Sequence, residues 1–441
     1  MPGINVEGGI PLTGSVTVSG AKNSAIKLMY ASLFSNEDVV LTNVPRIKSV
    51  FDDISIIQSI GGKAEWASNN TLIINGASVT SYEVPKEIGL KYRTIVLLAG
   101  PLLFRFGKAV LPKYKPSAFS GGPMNRFFDA WKSLGVLIEE DEDFITLLGE
   151  DMKSADIVFK TSSHTATDNA ILSSIFVSGE TTITNASEEC EVDDLINLFK
   201  AMGANIERVE PRKIKIIGGN MFKGAKLEVC PDKAEIAAFA VAAVLTKGNI
   251  SIKGVKRDVM VQFVNFLNKI GVRFDFQNDE LKVWRNDETI QPVNIEVSPT
   301  PGFVPDWMSA ATLVLTQAEG ESTIHDTVYV DRFNFVMDLN RMGAKIELTK
   351  PSESGCACII SDDSYDFEKL GEPKTVAKIS GPSKLKGERL TIEDFRDGAV
   401  LLLASLCADG KSEIIGVENI ENYFENFVNK LKSLGAKIWE Q

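Results

Sequence analysis

Two helical patterns of apolar and polar positions recur along the 441-residue chain. In the first, residues 25–34, 94–104, 170–177, 236–245, 308–315 and 399–406 are mainly apolar or small all round. A helix without a polar face is buried, so these six segments predict an inner layer. In the second the pattern is amphipathic. Leu195, Ile196, Leu198, Phe199 and Met202 share one face of one segment, and Phe424, Phe427, Val428, Leu431 and Leu434 share one face of another. Such segments predict an outer layer. Each ends in the same phrase, an apolar residue, a glycine and a small residue, at Gly61, Gly135, Gly203, Gly271, Gly343 and Gly435. A glycine there stops the helix in the left-handed region and a strand follows. Six copies of a unit of about 70 residues therefore fill nearly the whole chain, which predicts two halves of three α/β units each.

Composition narrows the class without naming it. With 44% hydrophobic and 24% charged residues the chain is an ordinary globular protein. A net charge of −12 argues against non-specific nucleic-acid binding, which depends on lysine and arginine displacing counterions. Five scattered cysteines fit a reducing compartment better than a disulfide framework. Cys356-Ala-Cys358 falls on a predicted short strand, where chance placement is the simpler reading. The two histidines, His164 and His325, show no metal-ligand spacing, and no cofactor is expected. Residues 1–9 carry neither a basic nor an apolar leader region, and the apolar runs are too short to span a bilayer. The expectation is a cytoplasmic protein without membrane contact.

Candidate chemistry sits at the starts of the buried helices. In order these carry Lys22 and Asn23, Arg93, Asp168 and Asn169, Asp232 with Glu235, Asp306, and Arg396. Acidic residues in a first turn complement the helix dipole by about 0.3–1 kcal/mol, which is explanation enough for Glu235 and for the acidic run Glu188, Glu189, Glu191, Asp193 and Asp194. Lys22, Arg93 and Arg396 oppose the dipole, so they call for an anionic ligand or a buried partner. Equivalent positions in repeated units point to a common axis, which predicts that these starts converge on a cleft for an anionic substrate.

The residues 9–23, Gly-Ile-Pro-Leu-Thr-Gly-Ser-Val-Thr-Val-Ser-Gly-Ala-Lys-Asn, resemble the N-terminal signature of the enolpyruvyl transferases. Further blocks follow in the family's order: Ala99-Gly100-Pro101-Leu102, Ser163-His164-Thr165-Ala166-Thr167-Asp168-Asn169, Pro231-Asp232-Lys233-Ala234-Glu235, and Val328-Tyr329-Val330-Asp331-Arg332-Phe333. The resemblance implies two inside-out α/β barrels of three helix-strand units each. One domain would combine residues 1–21 with 231–441, and the other would be 22–230 with a lid loop at 111–123. It implies transfer of the enolpyruvyl group of phosphoenolpyruvate to a sugar hydroxyl. The acceptor would be UDP-N-acetylglucosamine, in peptidoglycan precursor synthesis, or another uridine nucleotide or sugar. A nucleotide-sugar binding protein without turnover is the remaining alternative.

By the same resemblance Lys22 faces the donor phosphate, Arg332 and Arg396 hold its carboxylate, and Asp306 takes the hydroxyl proton. Asn23, Arg93, Lys160, Ser162, Ser163, Glu189, Asp232 and Val328 correspond to positions that contact the nucleotide sugar or shape the site. Three departures stand out. The family's lid carries a reactive cysteine or aspartate, and residues 113–122 have neither. Arginines used by the family fall on Gly122 and near Asn422 here. Lys113, Lys115 and Arg126 are the cations that can replace them. Residues 351–387 are a polar expansion expected to decorate the surface.

Overall fold

An alanine-rich run such as 233–245 has strong helix propensity and no polar face, so its helix gains stability only when enclosed. The chain solves this six times. In this computed structural model, which describes residues 3–89, 93–113, 124–361 and 365–440 apart from the side chains of Ile88, Arg93, Phe395, Arg396 and Asp397, the inner helices are α1 (Lys22–Ser32), α2 (Ala99–Phe106), α3 (His164–Ser174), α4 (Lys233–Leu245), α5 (Met308–Leu315) and α6 (Phe395–Cys407). Every residue of α4 is buried.

Among the described residues the strands form six sheets, built on one plan. After α1, the strand Val39–Thr42 runs parallel to Lys226–Glu228 and antiparallel to Thr71–Asn75, which forms a hairpin with Lys63–Ser68. The amphipathic helix Lys48–Ser59 lies between the first strand and the hairpin in sequence. Strand residues alternate: Val39, Leu41, Leu72 and Ile74 are fully buried while their neighbours are partly exposed. In the last unit the N-terminal strand Ile4–Glu7 takes the hairpin position, antiparallel to both Lys411–Ile415 and Lys437–Glu440. The first residues of the chain thereby complete its sixth unit.

The chain divides into two compact units, Met1–Ser19 with Pro231–Gln441, and Gly20–Cys230. In the first, α4, α5 and α6 pack on one another at the centre. In the second, α2 packs on α3, and α1 packs on the helix Cys190–Ala201. Each unit has its own apolar cluster. All six joint glycines have positive φ, from 79° to 108°, a region a side chain rarely adopts. No helix among the described residues is long and apolar enough to cross a membrane.

Several local readings change. The segment beginning at Arg93 is a 3₁₀ helix, Arg93–Leu98, ahead of α2. Helix α3 starts at His164, so Asp168 and Asn169 sit inside it, fully buried, rather than at its start. The amphipathic stretch before Gly435 is broken into Glu418–Glu421 and Phe427–Ser433, with Asn426 left-handed between them. Cys356 and Cys358 lie in irregular backbone, not a strand. The polar expansion hides a core element: Val376–Gly381 is an inner strand between Gly320–Asp326 and Ile346–Thr349. Its alternation is short and its flanks are polar, so composition masked it.

Candidate active site

In the unit Gly20–Cys230 the start of α1 is open. Its N-cap is Ala21, which offers no side-chain cap, and the first turn has no acidic residue, so the peptide N–H groups and Lys22 add to one positive end. Lys22 and Asn23 are partly exposed there. The start is held from below. The Ala21 N–H donates to the Cys230 carbonyl at 2.7 Å, the Ser24 hydroxyl donates to Asp194 Oδ2, and the Cys230 N–H donates to that same oxygen at 2.8 Å. Burial pushes the Asp194 carboxyl up, and the Ser24 and Cys230 hydrogen bonds pull against it. Asp194 is thus a clip on the lysine-bearing helix, more than a dipole partner.

A second carboxylate lies deeper in this unit. Asp53 accepts the Tyr30 hydroxyl, is 1% exposed, and sits within the electrostatic reach of Lys22. Burial raises it from 3.8 to about 7, against the pull of the Tyr30 hydrogen bond and Lys22. Lys27 projects from the apolar α1 into an ion pair with Asp168, both side chains 1% exposed.

The nucleotide-side candidates of this unit are joined by hydrogen bonds. The Ser163 hydroxyl caps α3 by accepting the Ala166 N–H at 3.4 Å. The Thr167 hydroxyl donates to the Ser163 carbonyl at 2.8 Å and accepts the Ser187 N–H at 3.0 Å. The Ser187 hydroxyl accepts the Glu189 N–H at 3.3 Å. The Asn185 amide donates to the Lys160 carbonyl at 3.3 Å. Ser163, Glu189 and Lys160 therefore belong to one braced surface, with Ser162 between them in sequence. Lys113 is paired with Glu140 at 3.0 Å, and Arg126 is partly exposed on the helix Asn125–Ser133. Lys115, Gly122 and the Arg93 side chain lie outside the described residues.

In the unit Met1–Ser19 with Pro231–Gln441, Asp232 caps α4, accepting the N–H groups of Ala234 at 2.8 Å and Glu235 at 3.2 Å. Burial first, then the charges of Glu235 and Asp306, raise its carboxyl from 3.8 to about 7. Asp306 is exposed in the turn Pro305–Trp307, and the Trp307 indole N–H donates to the Lys233 carbonyl at 3.1 Å, joining the starts of α4 and α5. Dipole complementation is not what explains Glu235. It is buried, accepts the Ser19 N–H at 2.7 Å and is paired with Lys430 at 2.6 Å.

Val328 and Arg332 lie on a turn hung from Asp326, the last residue of its strand. Asp326 Oδ1 accepts the N–H groups of Val328 at 2.8 Å and Tyr329 at 3.1 Å. Burial raises Asp326 from 3.8 to about 6, opposed by those bonds and by Arg332. The Arg332 guanidinium carbon stands over the Tyr329 ring, 3.8 Å from its centre, a cation–π contact that helps hold the side chain in place. Arg396 is the second residue of α6; its side chain lies outside the described residues. Asn422 is the C-cap of the short helix Glu418–Glu421. Among the described residues no cluster of metal-ligating side chains occurs.

Sequence reasoning missed Asp53, Lys27, Asp326 and the clip formed by Asp194. Lys27 gave a signal, since a charge inside the apolar run Ile26-Lys27-Leu28 demands a buried partner.

The family model described as EPSP synthase (3-phosphoshikimate 1-carboxyvinyltransferase) matches residues 6–431, and the chain belongs to that family. It is 33% identical to a UDP-N-acetylglucosamine 1-carboxyvinyltransferase of Treponema denticola, covering 98% of both chains. It is 32% identical to UDP-N-acetylglucosamine 1-carboxyvinyltransferase 2 of Listeria monocytogenes, covering 98% of this chain and 96% of the relative. Among solved structures it is similar to the enolpyruvyl transferase NikO of Streptomyces tendae, with a TM-score of 0.87, 22% identity and coverage of 100% and 99%. EPSP synthase of Acinetobacter baumannii follows at a TM-score of 0.74, 17% identity and full coverage of both chains. These structures share the fold of two inside-out α/β barrels, and this chain has that fold.

Proposed function

We propose that the chain transfers the enolpyruvyl group of phosphoenolpyruvate to a hydroxyl of UDP-N-acetylglucosamine, releasing phosphate, in peptidoglycan precursor synthesis. The observation that carries this reading is the likeness, over nearly the whole chain, to relatives named for that reaction. They do not favour another uridine nucleotide, or a protein that binds without turnover. The same reading makes the protein a cytoplasmic enzyme.

The donor carries a phosphate and a carboxylate, and the reaction adds a proton to its methylene carbon while a hydroxyl attacks the neighbouring carbon. Lys22 on the open start of α1 suits the phosphate, because the helix end and the ammonium act together on one anion. Arg332 offers a fork for the carboxylate, held over the Tyr329 ring, and Arg396 is the second fork. Asp306, exposed at its turn, takes the proton of the attacking hydroxyl. Asn23, Arg93, Lys160, Ser162, Ser163, Glu189, Asp232 and Val328 contact the nucleotide sugar or shape its site. Lys113, Lys115 and Arg126 supply the positive charge that Gly122 and Asn422 do not. With neither cysteine nor aspartate in 113–122, protonation of the methylene carbon falls to a different group than the family's lid residue.

Incubation with phosphoenolpyruvate and UDP-N-acetylglucosamine, with released phosphate measured and the product mass determined, tests the reading. Phosphate release that depends on both substrates supports it. No release with this pair, or faster release with another nucleotide, overturns it.

A further inference from the structure

Two of the five cysteines, 40 positions apart, are brought together by the fold. The sulfurs of Cys190 and Cys230 lie 3.8 Å apart. Cys190 opens the helix Cys190–Ala201 and is partly exposed, with its thiol directed to Glu191 at 3.3 Å. Cys230 is 3% exposed and is the last residue of its unit. We propose that Cys190 and Cys230 form an oxidisable dithiol, a modification site for hydrogen peroxide, whose closure to a disulfide reversibly lowers turnover.

The chemistry balances with the peroxide as sole oxidant. Cys190, the more exposed residue of the two, attacks one peroxide oxygen as its thiolate. The O–O bond breaks, leaving a sulfenic acid on Cys190 and releasing water once the thiol proton is counted. The Cys230 sulfur then displaces the sulfenic hydroxyl, which leaves as a second water with the Cys230 proton. Two thiols are oxidised and one peroxide is reduced to two waters. The hydrogen bond with Cys190 first, and then burial, push the Cys230 thiol up, which suits it to the resolving role rather than to first attack.

The link to turnover is geometric. A disulfide needs its sulfurs about 2.05 Å apart, so closure draws the two segments together. Both segments support the start of α1. The Cys230 carbonyl accepts the Ala21 N–H, and the Cys230 N–H shares Asp194 Oδ2 with the Ser24 hydroxyl. Cys190 follows Glu189 directly. A displacement at Cys230 is therefore passed to the turn that carries Lys22 and Asn23. Shifts of about 1 Å in groups that position a substrate can cost about a hundredfold in rate.

The full chain, first reduced, is treated with hydrogen peroxide at neutral pH, digested without reductant and analysed by mass spectrometry, with phosphate release measured in parallel. The expected result is a Cys190–Cys230 cross-linked peptide about 2 Da lighter than its two reduced parts. Turnover falls at least about tenfold, dithiothreitol restores it, and the C190S variant neither cross-links nor loses rate under the same treatment. C230A is the second variant, with the same expectation. Absence of that cross-link, or a cross-linked protein with full turnover, overturns the proposal. The peptide measurement does not depend on the acceptor, so a failed substrate assignment and a failed dithiol are told apart.

Discussion

Replacing Asp53 by asparagine tests the electrostatics beneath Lys22. The variant D53N keeps an oxygen for the Tyr30 hydroxyl and removes one ionisation from the core of the unit Gly20–Cys230. In the folded protein burial holds this carboxyl at about 7 against 3.8 for the ordinary group. Between those values the folded state keeps a proton that the unfolded chain has lost. Stability therefore falls as pH rises through that window. With these two values the ionisation costs about 2 kcal/mol at pH 5 and about 4 kcal/mol at pH 8. D53N is free of this cost at both pH values, although burying its amide adds a constant one. Relative to wild type it should gain about 2–3 kcal/mol between pH 5 and pH 8. Urea unfolding of both proteins at the two pH values, followed on the same transition, measures the difference directly. An equal stability gap at pH 5 and pH 8, or a gap that moves against D53N as pH rises, refutes the reasoning.

Three further outcomes are expected. K22A should lower kcat/KM by about 10²–10³ while circular dichroism stays native, because under the proposed function it removes the cation that faces the leaving phosphate. Y329A should raise the KM for phosphoenolpyruvate about two- to fivefold with kcat little changed, and Y329F should behave as wild type, since the ring face and not the hydroxyl holds Arg332. K430M strands the buried Glu235 carboxylate and should cost about 3–5 kcal/mol in chemical denaturation, with E235Q in the same chain recovering part of the loss.

Much of the fold was legible because the evidence for it is repeated. The phrase around Gly61 recurs five more times, and each copy marks a helix end and a strand start through the same backbone requirement. Burial of α4 and α5 followed from segments with no polar face. The strand Val376–Gly381 escaped because its inner position depends on Gly320–Asp326, more than fifty residues earlier, and not on its own polar surroundings. Of the candidate site, Lys22, Arg93 and Arg396 stood out at helix starts by their chemistry alone, whereas the parts given to Asp232, Arg332 and Val328 came from family resemblance. The supporting residues were not visible in the same way. Asp194 read as one acid in an acidic run, and its burial with the approach of Ser24 and the Cys230 backbone distinguishes it from Asp193.

By itself the sequence determined the six-unit repeat, the division into inner and outer helices, and the placement of a lysine at a helix start. These depend on periodicity and on residues within a turn or two of one another, so they are written locally. Tertiary structure decided the partners: Lys27 with Asp168, Tyr30 with Asp53, Glu235 with Lys430, and Cys190 with Cys230. Each joins residues tens or hundreds of positions apart. A charge or thiol in a sequence shows that a partner is needed but not which one answers, because burial and proximity arise only when the helices and sheets pack.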